Sequence, residues 1–340
     1  MRLNRTVLFI PLLALMLAGG AALAQHDGHT GHMEGMDHAG HMDMATPARS
    51  DDRDVLYNPE DMQFLHHMSM HHQQALDMAA LVPERAMHEE FKKFARYVAR
   101  GQAAEISAMQ GLETLAEDRG IAAPHAHMDH DPPMAGMLPQ AEMKALAASK
   151  GNDFERRWLE GMIFHHEGGL AMARAQQLQQ LEFQRVPYGL AVMVEDILVV
   201  QRAEVSKMYD WLMDWGLVPA GDRTDTRPPA SEVVSPVPMA VLPAGRKARL
   251  IGVAVDDRGI AKVRVAIQNL DDKSWWQADD SWGGERTMHD ATLEQAGFSS
   301  VAWTRAWTPA KPGHYAITVT AQDTAGKTAE GYFTREFRVE

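Results

Sequence analysis

The sequence predicts an antiparallel four-helix bundle followed by a β-sandwich. Three observations carry that expectation. First, Met68-Ser69-Met70-His71-His72-Gln73-Gln74-Ala75-Leu76-Asp77-Met78-Ala79 is echoed by Met162-Ile163-Phe164-His165-His166-Glu167-Gly168-Gly169-Leu170-Ala171-Met172-Ala173. Second, Gln102-x-x-Glu105-x-x-x-Met109 is echoed by Gln201-x-x-Glu204-x-x-x-Met208. Two helical hairpins with the same seam can bury it only against each other. Third, beyond about residue 240 the apolar period changes to two, the period of half-buried strands.

In chain order, residues 1–24 read as a cleavable signal peptide, with Arg2 and Arg5, an apolar stretch from Val7 to Leu17, and Ala22-Leu23-Ala24 as the cleavage site. No Cys follows to carry a lipid, and no later run has membrane length. The expected location from the leader is periplasmic or secreted. Residues 25–58 form an arm. It carries His26, His29, His32, His38 and His41 with Met33, Met36, Met42 and Met44, and between 26 and 44 it lacks branched aliphatic and aromatic residues. Disorder and loose metal capture are expected of it.

The bundle is expected over residues 59–218, as repeats 59–120 and 140–218 joined by a linker at 121–139 that bears His125, His127, Met128 and His130. Asn58 caps a first helix that Pro59 opens and Pro83 ends, near Val82. A second runs from about Arg85 to Asp118. A short helix covers Gln140 to Ala148. Asn152 or Asp153 caps a third long helix to about Phe183, and Pro187 opens a fourth that ends near Gly216. Pro228, Pro229, Pro236 and Pro238 mark a linker at 219–240, and the sandwich fills 241–340.

The chemistry lies on the helical seam. Phe64, Met68, His71, Ala75 and Met78 recur at bundle spacing, as do Trp158, Met162, His165, Gly169 and Met172. Histidine, glutamine and glutamate thus stand where leucine is expected, and an unpaired buried polar group costs about 1–3 kcal/mol. Such residues need mutual partners or a metal. Glu105 and Glu204 suit the orienting of a ligating imidazole, with Gln102 and Gln201 beside them. His66 and His67 add an i,i+4 pair, His67 with His71, that suits a peripheral site. Met143, Met193 and Met213 read as core filler.

The chain has no Cys, so disulfides and thiolate ligands are excluded. Imidazole with thioether favours Cu(I), with Ag(I) as its mimic, and imidazole with carboxylate in the arm suits Cu(II). Zinc seldom uses Met. A di-iron bundle needs two Glu-x-x-His motifs, and neither Glu105 nor Glu204 begins one. The net charge of −13 argues against a nucleic-acid partner. Ala321 to Thr328 mimics a phosphate loop, but strands are expected on both sides of it.

With its His-His, Met-Ala and Gln-x-x-Glu-x-x-x-Met elements present twice, the chain resembles the bacterial domain-of-unknown-function family 305. The resemblance implies a ferritin-like four-helix bundle and an exported copper-binding protein of the CopM type. It carries over His71, His72, Met68, Met78 and Met109, and His165, His166, Met162, Met172 and Met208, as metal positions. Glu167-Gly168-Gly169 departs from the first copy, and a difference in affinity or metal between the sites is expected from it. The C-terminal part resembles a bacterial immunoglobulin-like domain, through Gly252 to Asp257, Val263 to Ile267 and Pro312 to Gly326. The expected function is sequestration or delivery of copper without catalysis. The sandwich would dock a copper transporter, a chaperone or a second copy. A ferritin-like oxidase and an interaction module without metal are the alternatives.

Overall fold

The computed structural model describes residues 57–121, 134–183, 187–217, 227–329 and 333–340. The signal peptide, the donors of the arm, and His125, His127, Met128 and His130 lie outside these residues. No helix among the described residues is long and apolar enough to cross a membrane.

Six helices come first: α1 (Pro59–Ala80), α2 (Val82–Arg85), α3 (Glu89–Glu117), α4 (Gln140–Ala148), α5 (Gly151–Phe183) and α6 (Tyr188–Asp214). Asn58 starts α1 with a capping box: its side chain accepts the Asp61 N–H at 2.7 Å, and the Asp61 carboxylate accepts the Asn58 N–H at 3.1 Å. The second helix expected from Arg85 begins later, at Glu89. Fully buried Glu155 on α5 accepts the backbone N–H groups of Met87 (2.7 Å) and His88 (2.8 Å) and the ring of His88 (2.7 Å). That carboxylate holds the chain open just where a continuous helix is expected. Asp153 does not cap α5, which already starts at Gly151; it binds Arg156 and Arg157.

The α1–α3 and α5–α6 hairpins pack tightly, α1 lies on α5, and α3 touches α6 only sparsely. Asp61 meets Gln176, His71 meets His165, and Trp158 Nε1 donates to Met78 O, so α1 and α5 run antiparallel. Phe64, Met68, His71, Ala75 and Met78 of α1 are buried, as are Trp158, Met162, His165 and Met172 of α5. The seam read from spacing is the seam observed.

Eleven strands follow among the described residues: β1 (Ala230–Ser235), β2 (Val241–Leu242), β3 (Ala248–Val255), β4 (Ile260–Asn269), β5 (Trp275–Trp276), β6 (Trp282–Gly283), β7 (His289–Asp290), β8 (Thr292–Gln295), β9 (Ser300–Trp307), β10 (Gly313–Asp323) and β11 (Phe333–Val339). One sheet has the order β1-β3-β9-β8 and the other β2-β11-β10-β4-β5-β6, with β7 on β4. Leu250, Val265, Trp276, Trp303, Trp307, Ile317 and Phe337 share the core between them. β1 occupies residues expected to be linker; Val233 is buried and pairs with Gly252 of β3. The phosphate-loop mimic is the turn of the antiparallel β10–β11 hairpin.

The β-sheet region is not held apart from the helices. Ile251, Val253 and Val255 of β3 and Ala302 of β9 belong to the apolar core of the bundle, and α5 lies across both strands. β3 therefore buries both faces, one against the second sheet and one against α5. The bundle core thus extends onto one face of the first sheet, while the core between the two sheets is a separate cluster.

Candidate metal centre

Two pairs of imidazoles lie where α1 packs on α5, and one ring of each pair meets the other. His71, His72, His165 and His166 are all fully buried. The His71 and His165 rings lie face to face, 3.8 Å between centroids and 31° between planes. Each ring has one nitrogen engaged. Nε2 of His71 donates to Ala135 O (3.2 Å), and Nε2 of His165 donates to His71 O (2.7 Å). Nε2 of His72 bonds Glu105 Oε2 (2.6 Å), and Nε2 of His166 bonds Glu204 Oε2 (2.7 Å). Carbonyl and carboxylate oxygens accept, so Nε2 carries a hydrogen in all four rings.

The other nitrogens are the telling ones. Nδ1 of all four rings is buried without a hydrogen-bond partner. In a neutral ring each is a bare lone pair pointing into protein. Burial, and then the neighbouring imidazoles, hold the pKa of His71 and of His165 well below the ordinary histidine value. Both rings are therefore neutral at physiological pH, the state in which imidazole ligates a metal. Beside them, Gln102 Oε1 and both amide atoms of Gln201 are buried and unpartnered.

Close backbone approach makes room for this arrangement. A Cβ on Gly168 would lie 2.1 Å from Ala135 O, and one on Gly169 would lie 2.5 Å from Gln201 Oε1. The turn at Ala135 and Gly136, which caps His71, can close only on a glycine at 168. Met68, Met78, Met109, Met162, Met172 and Met208 are buried in the same core. Among the described residues no three His, Asp or Glu side chains already converge as a cage.

Other expected positions fall elsewhere. His66 lies 3.8 Å from Glu113 at the surface. His67 is pushed down to about 4 by burial, then by His66 and Arg335. A guanidinium beside it disfavours a cation there. Met193 is buried as expected of filler, whereas Met213 is exposed.

Glu167 is the functional residue that spacing did not reveal. It is fully buried beside His166, yet it faces the sandwich, accepting Phe298 N–H (2.8 Å), Ser299 N–H (3.1 Å) and Ser300 Oγ–H (2.7 Å). Glu167-Gly168-Gly169 thus serves docking and loop closure. Its place in a seam otherwise repeated was the signal available in the sequence.

Residues 61–212 match the family model described as a domain of unknown function, DUF305. Among solved structures, a Streptomyces coelicolor DUF305 protein described as secreted is 32% identical, the alignment covering 46% of this chain and 92% of that one with a TM-score of 0.39. CopM in its Cu(I)-bound form is 29% identical, covering 46% of this chain and 96% of that one with a TM-score of 0.35. Over the β region, the RIG-5 IG1 homodimer is a weak match: 13% identity, 34% of this chain, 97% of that one, TM-score 0.19. No curated protein matches the chain.

Proposed function

The chain belongs to the DUF305 family through residues 61–212, and from that premise we propose that it is an exported copper-binding protein holding Cu(I) inside its bundle. His71, His72, His165 and His166 are the nitrogen donors, and buried methionines of the seam supply thioethers. The observation that carries the reading is the set of four buried Nδ1 atoms without partners, each on a ring whose Nε2 is fixed. A hydrogen-bonded seam without metal would use both nitrogens, since a buried polar atom left unpaired costs about 1–3 kcal/mol. Here only one nitrogen of each ring is used. Glu105 and Glu204 orient their imidazoles and raise the basicity of the ligating nitrogen.

Copper is chosen on the donor set: imidazole and thioether without thiolate. The Cu(I) of CopM belongs to that protein. Sequestration or delivery, with the arm collecting Cu(II) or Cu(I), completes the proposal. The test is an anaerobic Cu(I) titration of untagged protein against a chromophoric chelator. The parent is expected to hold more than one ion tightly. A variant with His71, His72, His165 and His166 all changed to Gln, shown to be helical by circular dichroism, should keep only weak sites. X-ray absorption of the loaded parent should show nitrogen and sulfur neighbours. A folded quadruple variant that titrates like the parent defeats the proposal.

A further inference from the structure

The two imidazole–carboxylate pairs differ in their reach to solvent. Glu105 leaves 21% of its side chain exposed while bonded to fully buried His72; Glu204 leaves 8% exposed while bonded to equally buried His166. The second repeat is covered by the sandwich. Glu167 is tied to residues 298–300, and Arg202 Nη2 donates to Ala296 O at 2.7 Å. The first repeat has its carboxylate on α3, which touches α6 only sparsely. Near it stands Asp196, on the solvent side of α6, close enough for the Glu105 charge to push its carboxyl upward after burial has done so; Glu195 adds to the same effect. Behind Glu105 lie two buried atoms without partners, Nδ1 of His72 and Oε1 of Gln102.

We propose that the α3–α6 wall is the port through which cations reach and leave the bundle, with Asp196 attracting the ion, Glu105 relaying it, and His72 receiving it on Nδ1. The inference rests on the copper-binding reading above and adds a direction to it. Acidic groups at a narrow opening concentrate cations and speed their capture. Of the two carboxylates bonded to buried imidazoles of the centre, Glu105 is the more open to solvent. An ion received at His72 would reach the second repeat through the interior, where His71 lies against His165. Binding changes no covalent bond and transfers no electron, so uptake needs no further reactant.

Uptake kinetics test this directly. Cu(I) is supplied as its cationic acetonitrile complex to apo protein, and unbound Cu(I) is trapped at intervals by a chromophoric chelator. Asp196→Asn is expected to slow uptake about threefold or more at low ionic strength, with the difference lost at high salt and the stoichiometry unchanged. Glu105→Gln keeps an acceptor for His72 and is expected to slow uptake further. Asp210→Asn removes the same charge from an exposed position on the same helix and should behave as the parent. An Asp196→Asn rate equal to that of Asp210→Asn overturns the port while leaving the copper reading intact. A parent that takes up no Cu(I) at all overturns both.

Discussion

Replacing Glu167 by Gln preserves the shape of the side chain and removes part of what ties the sandwich to α5. One carboxylate oxygen accepts Phe298 N–H, and the other accepts both Ser299 N–H and Ser300 Oγ–H. An amide has a single acceptor oxygen, so its NH2 must face at least one backbone N–H. The loss comprises a bond to a charged group, about 1.5–3 kcal/mol, and a buried donor left without an acceptor, about 1–3 kcal/mol. Some overlap between the two gives a net cost of about 2–5 kcal/mol. For a unit of this size 1 kcal/mol moves the midpoint by about 2–4 °C, so the midpoint should fall by roughly 4–20 °C. Differential scanning calorimetry of parent and Glu167→Gln, both without metal, reads this directly. A midpoint within about 2 °C of the parent would show that Glu167 contributes little to holding the two parts together.

Three further outcomes follow from the geometry. His71 and His165 stay neutral in the fold, whereas the unfolded chain takes up protons below about pH 6.5; stability is therefore complete above that pH and falls below it, by up to about 1.4 kcal/mol per pH unit for each ring. Urea midpoints measured from pH 7.5 to 5 should decline on the acid side, and a level profile would contradict a neutral stacked pair. Gly168→Ala drives a Cβ into Ala135 O and should cost about 1–3 kcal/mol or displace the turn over His71. Hydrogen exchange at residues 134–138 should accelerate in that variant, and unchanged protection would count against the close approach. Loading the parent with Cu(I) should raise its thermal midpoint in proportion to the logarithm of free ion; no rise at saturating ion would mean that the ion binds folded and unfolded chain alike.

Local signals in the sequence mark much of the helical half. Asn58 and Pro59 place the start of α1, and the spacing of Met68, His71, Ala75 and Met78 picks out its inward face. These are short-range properties of one strip of chain. The break at residues 86–88 depends on Glu155, which is remote in sequence and reads from its own surroundings as an ordinary helical glutamate. β1 is hidden for a similar reason: two adjacent valines among polar and proline residues carry no alternation, and only pairing with β3 makes them a strand. At the centre, the histidines and their Glu partners are visible in the repeat. The acceptors for His71 and His165 are backbone carbonyls, which no residue type announces.

The bond from His165 to the carbonyl of His71 ties one copy of the duplicated hairpin to the main chain of the other. The second copy, cut free, would not present its central ring with the hydrogen on the proper atom, because the acceptor that dictates the tautomer resides in the first copy; the first copy's own ring takes its acceptor from Ala135, outside both repeats. Duplication here has produced dependence where two autonomous modules would be the simpler outcome. Drift in one half is thereby constrained by the backbone path of the other.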